Sequence, residues 1–215
     1  MKIGVFDSGI GGKIVGIELQ KVFQNANIIV VDDKQNIPYG DKTPQQIIDF
    51  TTAAIQPLIN NQCDVIVIAC NTATAVAIDH LRLSYPKQKF IGLEPMIKTA
   101  ASLTKTNTFA VFATPRTLES ERYKTLLHKY ANGLKVIQPD CSKWAYMIEN
   151  NIVNRSLIAE IVRNVSNQNC DVIVLGCTHY HWIKSMIKNF TNGKVTVIEP
   201  SEAIAKRVKQ LLELS

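Results

Sequence analysis

A chain of 215 residues with 46% hydrophobic content can bury a substantial core, as one large domain or two small ones. Its net charge of +6 comes from 24 basic against 18 acidic residues scattered along the sequence. With no RNA-binding or helix-turn-helix signature, this excess makes no case for nucleic acid and suits an anionic small substrate equally well. No segment approaches the ~18 apolar residues of a membrane span, and Asp7 interrupts the first apolar stretch too early for a signal-peptide core, so neither export nor membrane anchoring is expected.

Residues 1–6 read as a short apolar strand, and Asp7-Ser8-Gly9-Ile10-Gly11-Gly12 as a glycine-rich turn into a helix near 13–24. Strand, polar turn and helix form the opening unit of a parallel α/β fold. The glycines permit a close backbone approach, and a helix start offers free N–H groups to an anion; a plain tight turn would look the same. A second strand at 27–31 ends in Asp32-Asp33, and Ile37-Pro38-Tyr39-Gly40-Asp41 is a loop in which Tyr39 faces either solvent or a site. One helix is expected over 44–60, with Thr43 as N-cap and Pro44 in its first turn.

The next stretch, Cys63 to Thr72, CDVIVIACNT, recurs as Cys170 to His179, CDVIVLGCTH. Each copy is an apolar run dominated by Val and Ile, which fits a central strand covered on both faces. Cys70 and Cys177 therefore stand at strand C-termini, where open α/β sheets bind ligands. A helix from Asn71 to about 83, a strand at 90–93, Glu94-Pro95 and a helix near 96–104 complete the first half.

The second half retraces this path. A strand at 109–112, the stretch 134–140, Cys177 and Glu199-Pro200 echo 3–6, 27–33, Cys70 and Glu94-Pro95 at offsets of 105 to 107 residues. Two copies of so long a unit indicate a duplicated domain rather than a solenoid. The expected architecture is α/β: two pseudo-symmetric parallel-sheet domains with an active site in the cleft between them. The first domain spans 1–95 plus 200–215, including a last helix at 201–214, and the second spans 96–199.

Five cysteines without a secretion signal read as reduced thiols of a cytoplasmic protein. Cys63 and Cys70 are seven strand residues apart, about 23 Å at ~3.3 Å per residue. They can share neither a metal nor a disulfide, and the same holds for Cys170 and Cys177. No C-x-x-C pair exists, so no metal site is expected. Cys63 and Cys170 read as inert core thiols and Cys141 receives no role. His80 and His128 read as solvated, and no resolving cysteine is expected beside either strand-end thiol within its own half.

Two thiols approaching one crevice from opposite sides suit inversion of a carbon stereocentre, where a base takes a proton from one face and an acid returns one to the other. A free thiol needs a polarising neighbour for that work. Asp7 stands ready for Cys70 and His179 for Cys177, while the aligned positions in the other half, Ala113 and Thr72, cannot serve. Ser8, Asn71, Thr72, Thr114, Thr117 and Thr178 lie just past strand ends, where they could cap helices or hydrogen-bond carboxylates and an ammonium group.

Taken together, Phe6-Asp7-Ser8-Gly9-Ile10-Gly11-Gly12, Pro38-Tyr39-Gly40, Ala69-Cys70-Asn71-Thr72-Ala73, Ala113-Thr114 with Thr117, and Gly176-Cys177-Thr178-His179-Tyr180 resemble the glutamate racemase family of the aspartate/glutamate racemase superfamily. The resemblance spans nearly the whole chain. It implies a cofactor-independent racemase that interconverts L- and D-glutamate, with D-glutamate destined for peptidoglycan, often as a homodimer. Carried over by position, Cys70 and Cys177 are the acid/base pair, tuned by Asp7 and His179. Ser8, Tyr39, Gly40, Asn71, Thr72, Thr114, Thr117 and Thr178 hold the substrate, with Asp7 and His179 beside them. The chain departs from the family pattern at His181-Trp182, where proline is common, at Arg116, and in the stretch from Gln138 to Trp144, which bears on Glu149. The competing readings are an aspartate or broad-specificity amino-acid racemase, and a catalytically silent amino-acid-binding protein of the same fold. No lysine lies in a pyridoxal phosphate setting and the glycine turn is not G-x-G-x-x-G, so no cofactor is expected.

Overall fold

A computed structural model describes residues 1–213. The chain divides into two compact units, one of Met1–Glu94 together with the segment from Pro200 onward, the other of Pro95–Glu199.

In the first unit, β1 (Lys2–Asp7) leads into α1 (Gly11–Val22), β2 (Asn27–Asp32), α2 (Pro44–Ala54), α3 (Gln56–Asn60), β3 (Val65–Ile68), α4 (Asn71–Ser84) and β4 (Phe90–Gly92). The strands are all parallel, in the order β2-β1-β3-β4. The helix expected over 44–60 is two helices. Pro57 has no N–H with which to continue the ladder, so the chain breaks at Ile55 and restarts with proline in the first turn of α3. Thr43 caps α2 with a full capping box, its hydroxyl accepting from Gln46 N while Gln46 Oε1 accepts from Thr43 N.

The second unit runs through α5 (Ile97–Leu103), β5 (Thr108–Ala113), α6 (Pro115–Glu119), α7 (Glu121–Tyr130), β6 (Lys135–Ile137), α8 (Trp144–Glu149), α9 (Arg155–Ser166), β7 (Val172–Gly176), α10 (Lys184–Phe190) and β8 (Thr196–Ile198). Its order, β6-β5-β7-β8, again all parallel, repeats the first sheet strand for strand. Register repeats as well, since Ile3 pairs Val65 in one sheet and Phe109 pairs Val172 in the other. The stretch 134–140 that echoes 27–33 holds the short edge strand Lys135–Ile137, with Pro139 just beyond it.

The chain then forms α11 (Ser201–Leu211), which belongs to the first unit; the expected end of this helix at 214 lies outside the described residues. Alternation along β3 explains why the cysteine stretch is apolar without interruption. Val65, Val67 and Ala69 pack with α1 and α11 on one face, while Ile66, Ile68 and Cys70 pack with α2, α3 and α4 on the other. Among the described residues no helix is long and apolar enough to cross a membrane.

The aspartate after the first cysteine of each repeat has a structural role. Asp64 Oδ2 accepts from Lys2 N at 2.7 Å, and Asp171 accepts from Lys105 N at 2.6 Å, Thr106 N at 3.1 Å and Thr104 Oγ1 at 2.6 Å. Each one pins the chain entering the central strand β1 or β5. Burial pushes the Asp171 carboxyl up, but these hydrogen bonds outweigh it and hold the group below its ordinary range. A depressed folded value means that the stabilisation is present above the ordinary carboxylate range and is lost as pH falls through the folded value. Asp171→Asn is therefore expected to cost about 1–3 kcal/mol near neutral pH. The gap to wild type should close as the pH drops below about 4; urea melts at several pH values measure it, and a gap independent of pH would refute the account.

Candidate active site

In both sheets the connections from the two central strands diverge to opposite sides, which opens a crevice at their C-terminal ends. Each unit places its strand-end thiol there.

In the first unit Asp7 is the last residue of β1 and is fully buried, its Oδ1 accepting from Gly9 N at 2.9 Å. The first turn of α1 passes directly against it. A Cβ built on Gly12 would lie 2.7 Å from the Asp7 Cβ, so only glycine allows this approach. Ser8 Oγ lies 3.3 Å from Cys70 Sγ. Cys70 is the N-cap of α4, and its sulfur accepts from Ala73 N at 3.4 Å. The positive end of this 14-residue helix therefore favours negative charge at the sulfur. Asn71 and Thr72 are buried in the first turn. Asn71 Nδ2 donates to Leu93 O at 3.3 Å, leaving its buried Oδ1 without a protein partner.

Tyr39 and Gly40 sit in a short 3-10 turn, Tyr39–Asp41. Of the two placements open to Tyr39, solvent is excluded, since it is 2% exposed with its ring between Phe6 and Phe50. Its hydroxyl donates to Asp33 Oδ2 at 2.7 Å, and burial first, then Asp33, pushes that hydroxyl far above its ordinary value. The phenol stays protonated and shares an apolar cluster with Cys70.

In the second unit Thr114 follows β5 and caps α6, its Oγ1 accepting from Thr117 N at 3.4 Å and lying 3.0 Å from Thr117 Oγ1. Cys177 follows β7. A Cβ on Gly176 would meet the Ala113 Cβ at 3.0 Å and Phe112 O at 3.3 Å, so glycine lets the end of β7 lie flat against β5. Beyond Cys177 the chain forms a 3-10 helix, Thr178–Ile183, before α10, where the first half has a regular α-helix. This tighter turn brings His179 Nδ1 to 3.8 Å from Cys177 Sγ. On its other side His179 Nε2 lies 2.7 Å from Glu149 Oε2, with both side chains nearly buried.

Glu149, the residue in contact with His179, is one that sequence reasoning left without a role. It stands 30 positions from His179, at the end of α8, and no local spacing links the two. Trp144 fixes that helix by edge contacts with Phe112 at 5.2 Å and Tyr180 at 5.4 Å. A carboxylate accepts from Nε2–H, so the neutral ring presents its bare Nδ1 to the thiol. His179 can then take the Cys177 proton while Glu149 stabilises the resulting imidazolium.

Cys141 lies in the polar stretch between β6 and α8 that its neighbours describe, yet its side chain is only 1% exposed. Burial, with smaller contributions from Asp140 and Cys177, keeps this thiol protonated by pushing its value far up. Tyr180 Oη donates to the Cys141 carbonyl at 2.9 Å. Cys63 and Cys170 are buried at the opposite strand ends, Cys63 pushed up by burial and Cys170 to about 11. His181 is buried with Nδ1 3.8 Å from Glu199, which Lys184 also contacts at 3.0 Å. Among the described residues no group of three or more His, Cys, Asp or Glu is arranged to hold a metal ion.

Asp7, Ser8, Cys70, Asn71 and Thr72 thus gather at one strand-end crevice, and Thr114, Thr117, Cys177, Thr178 and His179 at its counterpart. A family model described as Asp/Glu/Hydantoin racemase matches residues 17–208. The chain is 35% identical over 217 residues to a glutamate racemase of Pseudomonas syringae, covering 99% of this chain and 79% of that protein. It is 36% identical to one from Sulfurovum, covering 99% and 83%. Among solved structures it is similar to Escherichia coli glutamate racemase in complex with L-glutamate and the activator UDP-MurNAc-Ala, with TM-score 0.89, 27% identity and coverage of 99% and 82%. It is likewise similar to Francisella tularensis glutamate racemase in complex with D-glutamate, with TM-score 0.82, 32% identity and coverage of 99% and 81%.

Proposed function

The chain belongs to the Asp/Glu/hydantoin racemase family and is an isomerase, and on that premise we propose that it interconverts L- and D-glutamate with two cysteines as acid and base. One observation carries the reading: two equivalent strand ends each present a buried thiol in contact with a polar proton-handling group. Cys70 has Ser8 and a helix N-terminus, and Cys177 has His179 backed by Glu149. Racemisation without a redox step needs two such groups, one for each face of the α-carbon.

In this reading one thiolate removes the α-proton and the opposite thiol donates a proton to the other face. The roles exchange for the reverse reaction, so a glutamate of either hand meets a thiolate on the side of its α-hydrogen. Asp7 and His179 move the thiol protons between turnovers. The free Oδ1 of Asn71 suits the substrate ammonium, while the hydroxyls of Ser8, Thr72, Thr114, Thr117 and Thr178 suit its carboxylates. Tyr39 and Gly40 close the first half of the site, Tyr39 through its ring and backbone because its hydroxyl is committed to Asp33. The mechanism requires reduced thiols, which supports a cytoplasmic location. The D-glutamate formed would supply peptidoglycan synthesis.

The test is NMR in deuterated water with the protein alone and either L- or D-glutamate. Deuterium should enter the α-position as the enantiomer forms, from either starting hand. Exchange on aspartate but not on glutamate would move the chain to the sister activity. No exchange on either would leave a binding protein of this fold.

A further inference from the structure

We propose that Thr74 is a positioning residue for the reaction, the bolt that holds the Cys70 sulfur at the start of α4; the inference rests on Cys70 being one of the two bases. Thr74 stands four residues beyond Cys70 and is 1% exposed. It makes a bridge that no helix-capping role requires. Its Oγ1 donates to Ile68 O, the end of β3, at 3.0 Å, and accepts from Leu93 N, just past β4, at 3.1 Å. Its own N–H donates to Cys70 O at 2.8 Å, the first hydrogen bond of α4. One side chain therefore joins two strand ends to the helical turn that presents the thiol.

The strand across from it is shaped to receive this side chain. A Cβ on Gly92 would lie 2.5 Å from Thr74 Cγ2 and 3.2 Å from Oγ1, so the methyl fills the place where any other residue would carry its Cβ. Threonine and glycine thus form a lock with a polar half and a packed half. Both halves act on the geometry of the Cys70 N-cap, where an error of a few tenths of an ångström weakens the bond from Ala73 N at 3.4 Å. The residue four positions beyond Cys177 is His181, which is held differently, 3.8 Å from Glu199. The bolt is accordingly specific to the Cys70 side.

The experiment compares Thr74→Val, which keeps the shape and removes the hydroxyl, with Thr74→Ser, which keeps the hydroxyl, alongside Cys70→Ser. Racemisation kinetics are read together with iodoacetamide alkylation of each cysteine, mapped by mass spectrometry. Thr74→Val should lower kcat tenfold or more, with KM changed less than about threefold, and Thr74→Ser should recover most of the rate. Alkylation of Cys70 in Thr74→Val should slow at least about fivefold near neutral pH, as the thiolate loses its N-cap, while Cys177 stays unchanged. A uniform rise in the reactivity of all five thiols would mean simple destabilisation and overturn the proposal, as would a Thr74→Val enzyme with wild-type kcat. If Cys70→Ser itself retains full activity, the two-cysteine reading falls instead, so the two failures are distinguishable.

Discussion

Cys70→Ser and Cys177→Ser are each expected to lower racemisation of glutamate by about 10³-fold while leaving the fold intact. Serine is nearly isosteric with cysteine, but its hydroxyl is far too weak an acid to supply a base near neutral pH, and general acid–base catalysis is worth about 10²–10⁴-fold. Both positions are buried and polar-contacted, Cys70 by Ser8 and Ala73 N and Cys177 by His179, so a hydroxyl keeps hydrogen-bond partners there. The pattern of residual chemistry is more telling than the size of the loss. An enzyme with one remaining thiol can remove and return a proton on a single face only. Any deuterium exchange left in Cys70→Ser should be confined to one enantiomer of glutamate, without inversion, and in Cys177→Ser to the opposite enantiomer. Circular dichroism of the substrate follows racemisation, and proton NMR follows exchange. A variant that retains more than a tenth of the wild-type rate would remove its cysteine from the mechanism.

Glu149→Gln should lower kcat by about 10²-fold with KM changed less than about threefold, the mark of an interaction made in the transition state. Two effects combine. The amide cannot stabilise a positive imidazole, and it no longer dictates that Nε2 carries the proton, so Nδ1 faces Cys177 in the wrong state for part of the time. Glu149→Asp keeps the charge on a shorter arm and should recover part of the rate. His179→Asn should match or exceed the loss in Glu149→Gln, and the double variant should be no worse than His179→Asn alone, because the carboxylate acts only through the ring. Additive losses would show that Glu149 acts by another route. Stability measured in parallel separates this effect from the cost of disturbing the end of α8.

Much of this arrangement is readable from the residues in order. The repeated cysteine stretches read as buried strands because period-two alternation with both faces apolar leaves few other interpretations, and β3 and β7 occupy central positions in equivalent sheets. The glycine turn after Asp7 is likewise legible, since Gly12 answers a contact only five residues away. The break in the helix expected over 44–60 is also written in the sequence, at Pro57, which supplies no N–H to continue the ladder. Cys141 does lie in the polar loop that Asp140, Ser142 and Lys143 describe, but those neighbours do not show that its own side chain turns inward.

The sequence by itself determined the α/β class, the duplication and the place of the two thiols at strand ends, because each follows from burial pattern or from spacing within a single segment. Only the tertiary structure decided that Glu149 meets His179, that Tyr39 spends its hydroxyl on Asp33, that Cys141 turns inward, and that Thr74 bolts two strands to the Cys70 turn. Most of these contacts join different elements, and even Tyr39 and Asp33, six positions apart, meet only because the loop between them folds back on itself. A hydrogen bond of 3 Å depends on where packing brings each element to rest, and that is set by the whole core at once.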